Sequence, residues 1–352
     1  MKHHIIPLLL LSALLLGGCR KDPQPVTPDT PDTSCAYLLS EGSWGGNDAS
    51  ISLINLANGN ITLDWFDAAN GRGIGDLAQD LVHYGNRLYA TVFTSNTIEV
   101  IDPATGRSLK QIDMGSRGPR YIEPLGGKIY VTCYDKTVVR IDTLSLAIEA
   151  ACPLSGMQPE QLCAIGDNLY ICNSWQYDAN GNSVYDSTLS IVDTRSFTET
   201  ALITVGHNPG RIKALDSHRL LVACSGDYGS HPAQTLIIDL NDHSQRPLPV
   251  TATNFAIHNN AIYLYSTAYD AQYHPTARFY KVDPNTLQAE PILQSHQTSL
   301  PYAYAINIDP ATGNIFVCNS PYTANADLYI FSPDGSLLHK AEGGILSSKI
   351  VF

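Results

Sequence analysis

The stretch Tyr121-Ile122-Glu123-Pro124-Leu125-Gly126-Gly127-Lys128-Ile129-Tyr130-Val131-Thr132-Cys133-Tyr134-Asp135-Lys136-Thr137-Val138-Val139-Arg140-Ile141-Asp142 carries the fold in miniature. Short apolar runs are interrupted at Gly126-Gly127 and again at Asp135-Lys136, and each run alternates with a period of two. That is the pattern of strands joined by tight turns, not of a helix. Read outward, segments 121–125, 128–134, 137–142 and 147–152 form one unit of four short strands, the last following a turn that starts at Asp142.

The unit recurs along the chain. Apolar pairs at Leu88-Tyr89, Ile129-Tyr130, Leu169-Tyr170, Leu220-Leu221, Ile262-Tyr263 and Ile315-Phe316 are each followed by a second signal. These are Ile101-Asp102, Ile141-Asp142, Val192-Asp193, Ile238-Asp239, Val282-Asp283 and Phe331-Ser332; Asp102 to Asp142 is 40 residues and Asp142 to Asp193 is 51. Such intervals are the size of a propeller blade with variable loops. The recurring Asp is explained by its carboxylate, which can bond the backbone two residues on and close a turn, as in Asp102-Pro103-Ala104-Thr105-Gly106. No segment reads as a convincing amphipathic helix. The first unit has strands at 36–40, 50–56 and 60–66 but lacks a first strand, while the chain ends on the lone strand Ser348-Lys349-Ile350-Val351-Phe352. A C-terminal strand that completes the first blade explains both facts. The expected fold is an all-β seven-bladed β-propeller of four-stranded blades over 35–352.

The chain has 352 residues, 44% hydrophobic and 15% charged, which is too apolar for a disordered chain. Lys plus Arg number 21 against 33 Asp plus Glu, a net charge of -12, so a nucleic-acid partner is disfavoured. Met1-Lys2-His3-His4 followed by the apolar run 5–18 reads as a signal peptide, too short to span a bilayer. Leu16-Gly17-Gly18-Cys19 resembles a bacterial lipobox, which would make Cys19 the lipidated first residue of the mature chain. Residues 20–34, with Pro23, Pro25, Pro28 and Pro31, read as a tether reaching up to roughly 45 Å. Seven further cysteines without a C-x-x-C do not form a zinc or disulfide framework; Cys133, Cys172, Cys224 and Cys318 fall in apolar strands, and Cys152 with Cys163 is the pair to test as a disulfide.

Several segments carry a family resemblance: Leu38-Leu39-Ser40-Glu41-Gly42-Ser43-Trp44-Gly45, Asp76-Leu77-Ala78-Gln79-Asp80, Gly118-Pro119-Arg120-Tyr121-Ile122, Cys224-Ser225-Gly226-Asp227-Tyr228-Gly229 and Asp309-Pro310-Ala311-Thr312-Gly313-Asn314-Ile315. Over residues 35 to 352 the chain resembles the YncE-like propellers, and more closely the Bacteroidetes lipoproteins with domain of unknown function 5074. The resemblance implies a seven-bladed propeller lipid-anchored to the outer membrane, at the cell surface or, as the alternative, on the periplasmic leaflet. Its best understood relatives capture cobalamin for a TonB-dependent transporter, so it implies a corrinoid as ligand; most members have no assigned ligand.

Topology sorts the loops. With strand one of each blade running down the channel, links between strands two and three, and between blades, lie on one face, here called the top. The bottom links are short. The top links 41–49, 173–187, 225–234, 267–278 and 319–327 are long and bring Trp44, Trp175, Tyr177, Tyr228, Tyr269, Tyr273 and Tyr322 together with Glu41, Asp48, Asp178, Asp186, Asp227, Asp270 and Asp327. Flat rings suit an amphipathic planar or sugar-like ligand, and equally suit packing against a neighbouring blade. Arg120, Glu160, Asn208 and Tyr302 flank Pro119, Pro159, Pro209 and Pro301 at the start of strand one, at the channel mouth. Arg120 either binds an anionic ligand group or pairs with Glu160 or another rim carboxylate.

The sequence carries none of the hydrolase, zinc-protease, P-loop or dinucleotide motifs. Only His231 and His274 sit in top loops, and 178–186 spaces oxygen donors as a calcium loop does but with its Gly misplaced, so a hairpin is expected there. No cofactor or metal is therefore expected. The sequence reads as a non-enzymatic capture protein for a small ligand on the top face. A glycan- or protein-binding module of an uptake system is the alternative; a propeller lyase or lactonase would need a metal or acid/base cluster.

Overall fold

The computed structural model describes residues 35–352; the signal segment 1–18, Cys19 and the tether 20–34 lie outside the described residues. Seven four-stranded antiparallel sheets form the ring of a seven-bladed propeller. Blade three is built from Pro119–Leu125, Lys128–Cys133, Thr137–Asp142 and Ile148–Pro153, within two residues of the sequence reading. The turn aspartates act as expected: Asp142 Oδ1 accepts the Leu144 and Ser145 amides at 3.1 and 2.7 Å, and Asp283 Oδ1 accepts those of Asn285 and Thr286 at 2.7 and 2.9 Å.

The C-terminal strand Ser347–Val351 is the innermost strand of blade one and pairs with Cys35–Ser40, placing Leu38 opposite Ile350. The outer part of that blade departs from expectation. Its fourth strand is only Ile61–Thr62, after which Asp64 turns into the left-handed region at φ 50° and a short helix, Trp65–Asn70, follows. The expected strand over 60–66 thus stops early because Phe66 is fully buried between blades one and two. Asn70 also ties the helix to blade two, donating to Gly106 O at 2.8 Å and accepting from the Ser108 amide at 2.8 Å.

Alternation along each strand sends its side chains to two different neighbours. Ala36 and Leu38 pack toward blade seven with Phe316 and Leu328, whereas Tyr37 and Leu39 pack toward blade two with Leu81 and Leu88. Seven such apolar clusters fill the seven seams between blades. The core is therefore a ring, which leaves the axis free to be polar. Cys133, Cys152, Cys163, Cys172, Cys224 and Cys318 are buried free thiols; Cys152 and Cys163 lie in different seams and are not bonded.

Candidate functional site at the mouth of the channel

The innermost strands begin at the top, and six of them lose register there, the C-terminal strand of blade one between Ser347 and Lys349. In the other five the ladder slips between Ala78 and Asp80, Pro119 and Ile122, Pro159 and Leu162, Pro209 and Arg211, and Ala303 and Ala305. A bulge bends its strand and re-aims the side chains beside it. Here it presents Gln79, Arg120, Tyr121, Glu160, Gly210, Arg211 and Tyr304 at the mouth or upper channel.

The mouth is a cavity of about 650 Å³, and eight residues singled out from sequence line it: Arg120, Glu160, Trp175, Asn208, Tyr228, Tyr269, Tyr302 and Tyr322. Three do not. Tyr177 stands outside the cavity with its ring edge-on to Trp175, centroids 4.9 Å apart, because the long hairpin of Asn168–Tyr177 and Ser183–Asp193 carries it beyond the rim. Trp44 lies in a separate cleft beside Phe93, Tyr134, Arg117 and Asp135. Asp227 is used inside its own loop: Oδ1 accepts the Gly229 and His231 amides at 2.9 and 2.8 Å, and Oδ2 meets His231 Nδ1 at 2.7 Å.

That clasp recurs. Asp270 holds the Gln272 and His274 amides at 2.9 and 2.8 Å and the His274 ring at 3.0 Å; Asp178 holds the Asn180 and Asn182 amides, both at 2.8 Å. Three neighbouring top loops are closed by a carboxylate bonding a residue four positions on. Segment 178–186 is accordingly a hairpin, and His231 and His274 each serve their own loop. Among the described residues, no group of three or more His, Cys, Asp or Glu could hold a metal ion.

Arg120 is paired. Its Nη2 contacts Glu160 Oε2 at 2.9 Å and Oε1 at 3.1 Å, Nη1 donates to Gln79 Oε1, and its guanidinium lies 4.6, 5.1 and 5.5 Å from the ring centres of Tyr134, Phe93 and Tyr121. The Tyr134 hydroxyl donates to Glu160 Oε1. The pair is nearly buried, and it completes a wall. Asn208 likewise supports the rim, accepting the Ser174 hydroxyl at 2.6 Å.

The cavity also holds residues that the sequence reading passed over: Arg211, Tyr121, Tyr265 and Tyr304. Tyr121 and Tyr304 sit at the bulges, and Tyr265 is on the second strand of blade six. Burial pushes all three phenols up, Tyr121 to about 12 and the other two further, so each keeps its proton at neutral pH. The Tyr304 hydroxyl donates to Glu41 Oε2 at 3.1 Å, and burial raises the Glu41 carboxyl against the pull of that bond and of Arg120 and Arg211. Below the mouth a second cavity of about 310 Å³ continues along the axis, lined by Asp80, Glu123, Lys213 and Lys349, with Tyr121 and Arg211 lining both. Lys349 pairs with Asp80; burial lifts Glu123 to about 7.

No family model matches the sequence, and no curated protein matches it. Among solved structures, a quinoprotein alcohol dehydrogenase-like protein from Bacteroides thetaiotaomicron is similar at TM-score 0.64 and 15% identity, covering 91% of this chain and 78% of that one. Hydrazine synthase of Kuenenia stuttgartiensis is similar at TM-score 0.58 and 12% identity, covering 72% of this chain and 76% of its own. The WD40 repeats of RRP9 are similar at TM-score 0.55 and 12% identity, covering 76% and 81%. Proteins so different in name share the scaffold, and the likeness establishes the propeller fold alone.

Proposed function

We propose that the chain is a non-enzymatic capture protein, anchored to the outer membrane through lipidated Cys19, which holds a small amphipathic ligand at the propeller mouth and delivers it to a TonB-dependent transporter. The observation that supports this reading is the set of rings left open around the mouth: Tyr228 is 82% exposed, and Tyr269, Tyr302 and Tyr322 are exposed on the same rim beside half-buried Trp175. Exposed aromatics grouped on one concavity are what ligand sites retain and ordinary surfaces avoid. Cys35, the first described residue, opens a strand on the bottom face that runs up to the top loop at Glu41.

The resemblance to cobalamin-capturing lipoproteins makes a corrinoid the first ligand to test. Calorimetric titration of the full chain with cyanocobalamin is expected to give submicromolar affinity, weakened tenfold or more, about 1.4 kcal/mol, by Trp175→Ala or Tyr228→Ala. No heat with the wild-type chain would overturn the corrinoid assignment and turn the search to glycans. Unchanged affinity in folded variants would remove the mouth as the site.

A further inference from the structure

Resting on the capture reading of the mouth, we propose that its ligand carries an anionic group, a phosphate ester or a carboxylate, and that Arg211, backed by Lys213, holds that group at the junction of mouth and channel.

The charged side chains lining the mouth are Arg120, Glu160 and Arg211. The first two cancel in an ion pair at 2.9 Å. Arg211 makes no ion pair and donates no hydrogen bond among the described residues; the groups felt by its guanidinium are the phenols of Tyr121, Tyr265 and Tyr304 and the Glu41 carboxyl, which stands beyond ion-pair reach. An enclosed arginine whose fork of donors is unused is an unfinished recognition element, since its geometry matches the two oxygens of a carboxylate or phosphate. The Tyr121 and Tyr265 phenols around it can add donors, that of Tyr304 being given to Glu41.

Lys213 extends the same feature. It lies two residues along the innermost strand Pro209–Ala214, so it shares the channel face with Arg211 at about 6.6 Å spacing. It too makes no ion pair among the described residues, while the neighbouring Lys349 is occupied by Asp80. Desolvation inside the channel, and then Lys349, lower its pKa, and a bound anion would favour its charged form. Access is open from above, because the residue before Arg211 is Gly210, where an added Cβ would meet nothing within 4 Å. Two uncompensated cations therefore line the axis of a chain whose net charge is -12.

The test uses the full chain at low ionic strength, titrated with inorganic pyrophosphate, inorganic phosphate and succinate, with calorimetry as the readout for all three and phosphorus NMR as a second one for the phosphates. Pyrophosphate, long enough to touch both cations, is expected to bind most tightly of the phosphates; succinate binding more tightly than either would assign the anion as a carboxylate. Arg211→Gln is expected to weaken binding at least tenfold, Lys213→Gln several-fold, and Arg211→Lys to recover part of the loss. Equal affinity in wild type and Arg211→Gln, both with unchanged melting curves, would overturn the proposal, as would absence of binding by all three anions. The capture reading is judged separately: cyanocobalamin binding that survives Arg211→Gln defeats only the anion anchor, and anion binding without retention of any amphipathic ligand defeats only the capture reading.

Discussion

The two sides of the mouth carry the same kind of residue in different states. On the wall made by blades three and four, Arg120 and Glu160 emerge from adjacent bulges, join, and are sealed by Phe93, Tyr121 and Tyr134. On the blade-five side the place of Arg120 or Glu160 is taken by Gly210, and among the described residues Arg211 has no counter-ion. The first arrangement spends its charge on holding two blades together. The second leaves its charge available, so what sets the two sides apart is the missing partner more than the presence of charge.

The contrast is most severely tested by stability. Glu160→Ala leaves the Arg120 guanidinium enclosed without its carboxylate and is expected to cost about 3–5 kcal/mol in urea melts, whereas Arg211→Gln breaks no pair and is expected to stay within about 0.5 kcal/mol of wild type. Equal losses would erase the distinction. Next in size, Gly210→Gln places in blade five the side chain that Gln79 contributes in blade two; it is expected to narrow the approach to Arg211 and weaken anion binding about tenfold, roughly 1.4 kcal/mol, while thermal melting changes little.

The channel offers a smaller version of the comparison, because Asp80 is paired with Lys349 whereas Glu123 has no ion pair among the described residues. Burial lifts the Glu123 carboxyl from 4.5 to about 7. Between those values the folded chain keeps a proton that the unfolded chain has released, so the contribution of Glu123 is fullest below 4.5 and is lost as pH rises through 7. A melting temperature that falls by a few degrees between pH 5 and pH 8, and falls less in Glu123→Gln, is the expected result. Smallest of all, Asp227→Ala opens the clasp under Tyr228 and is expected to reduce ligand affinity a few-fold, with no change in melting.

Much of the architecture was legible because propeller strands are short, alternate strictly and end in turns with their own chemistry, as at Asp142 and Asp283. The helix at Trp65–Asn70 was not, since six residues are too few to display a helical period and its anchor, Phe66, is apolar in either reading. At the site, rings in long loops could be assigned to a face, and most of them do line the mouth. Trp44, Tyr177 and Tyr273 miss it because loop length says nothing of the direction in which a loop leans. Arg211 was hidden by one residue: counting from Pro119 and Pro159 points to the next position, but in blade five that position is Gly210, and the bulge gives the following side chain to the axis. Tyr265 was masked by an alternation that looks like ordinary core.

Closure by the last strand also has a mechanical side. Cys35–Ser40 is not an edge: it is hydrogen-bonded to Ser347–Val351 on one flank and to Ser50–Asn55 on the other. A pull applied at Cys35 is led into a strand gripped by two antiparallel ladders and loads both in shear. Resistance to such a pull is set by the rate of unfolding, not by equilibrium stability. A load at that point thus meets a place where yielding requires the ring itself to open.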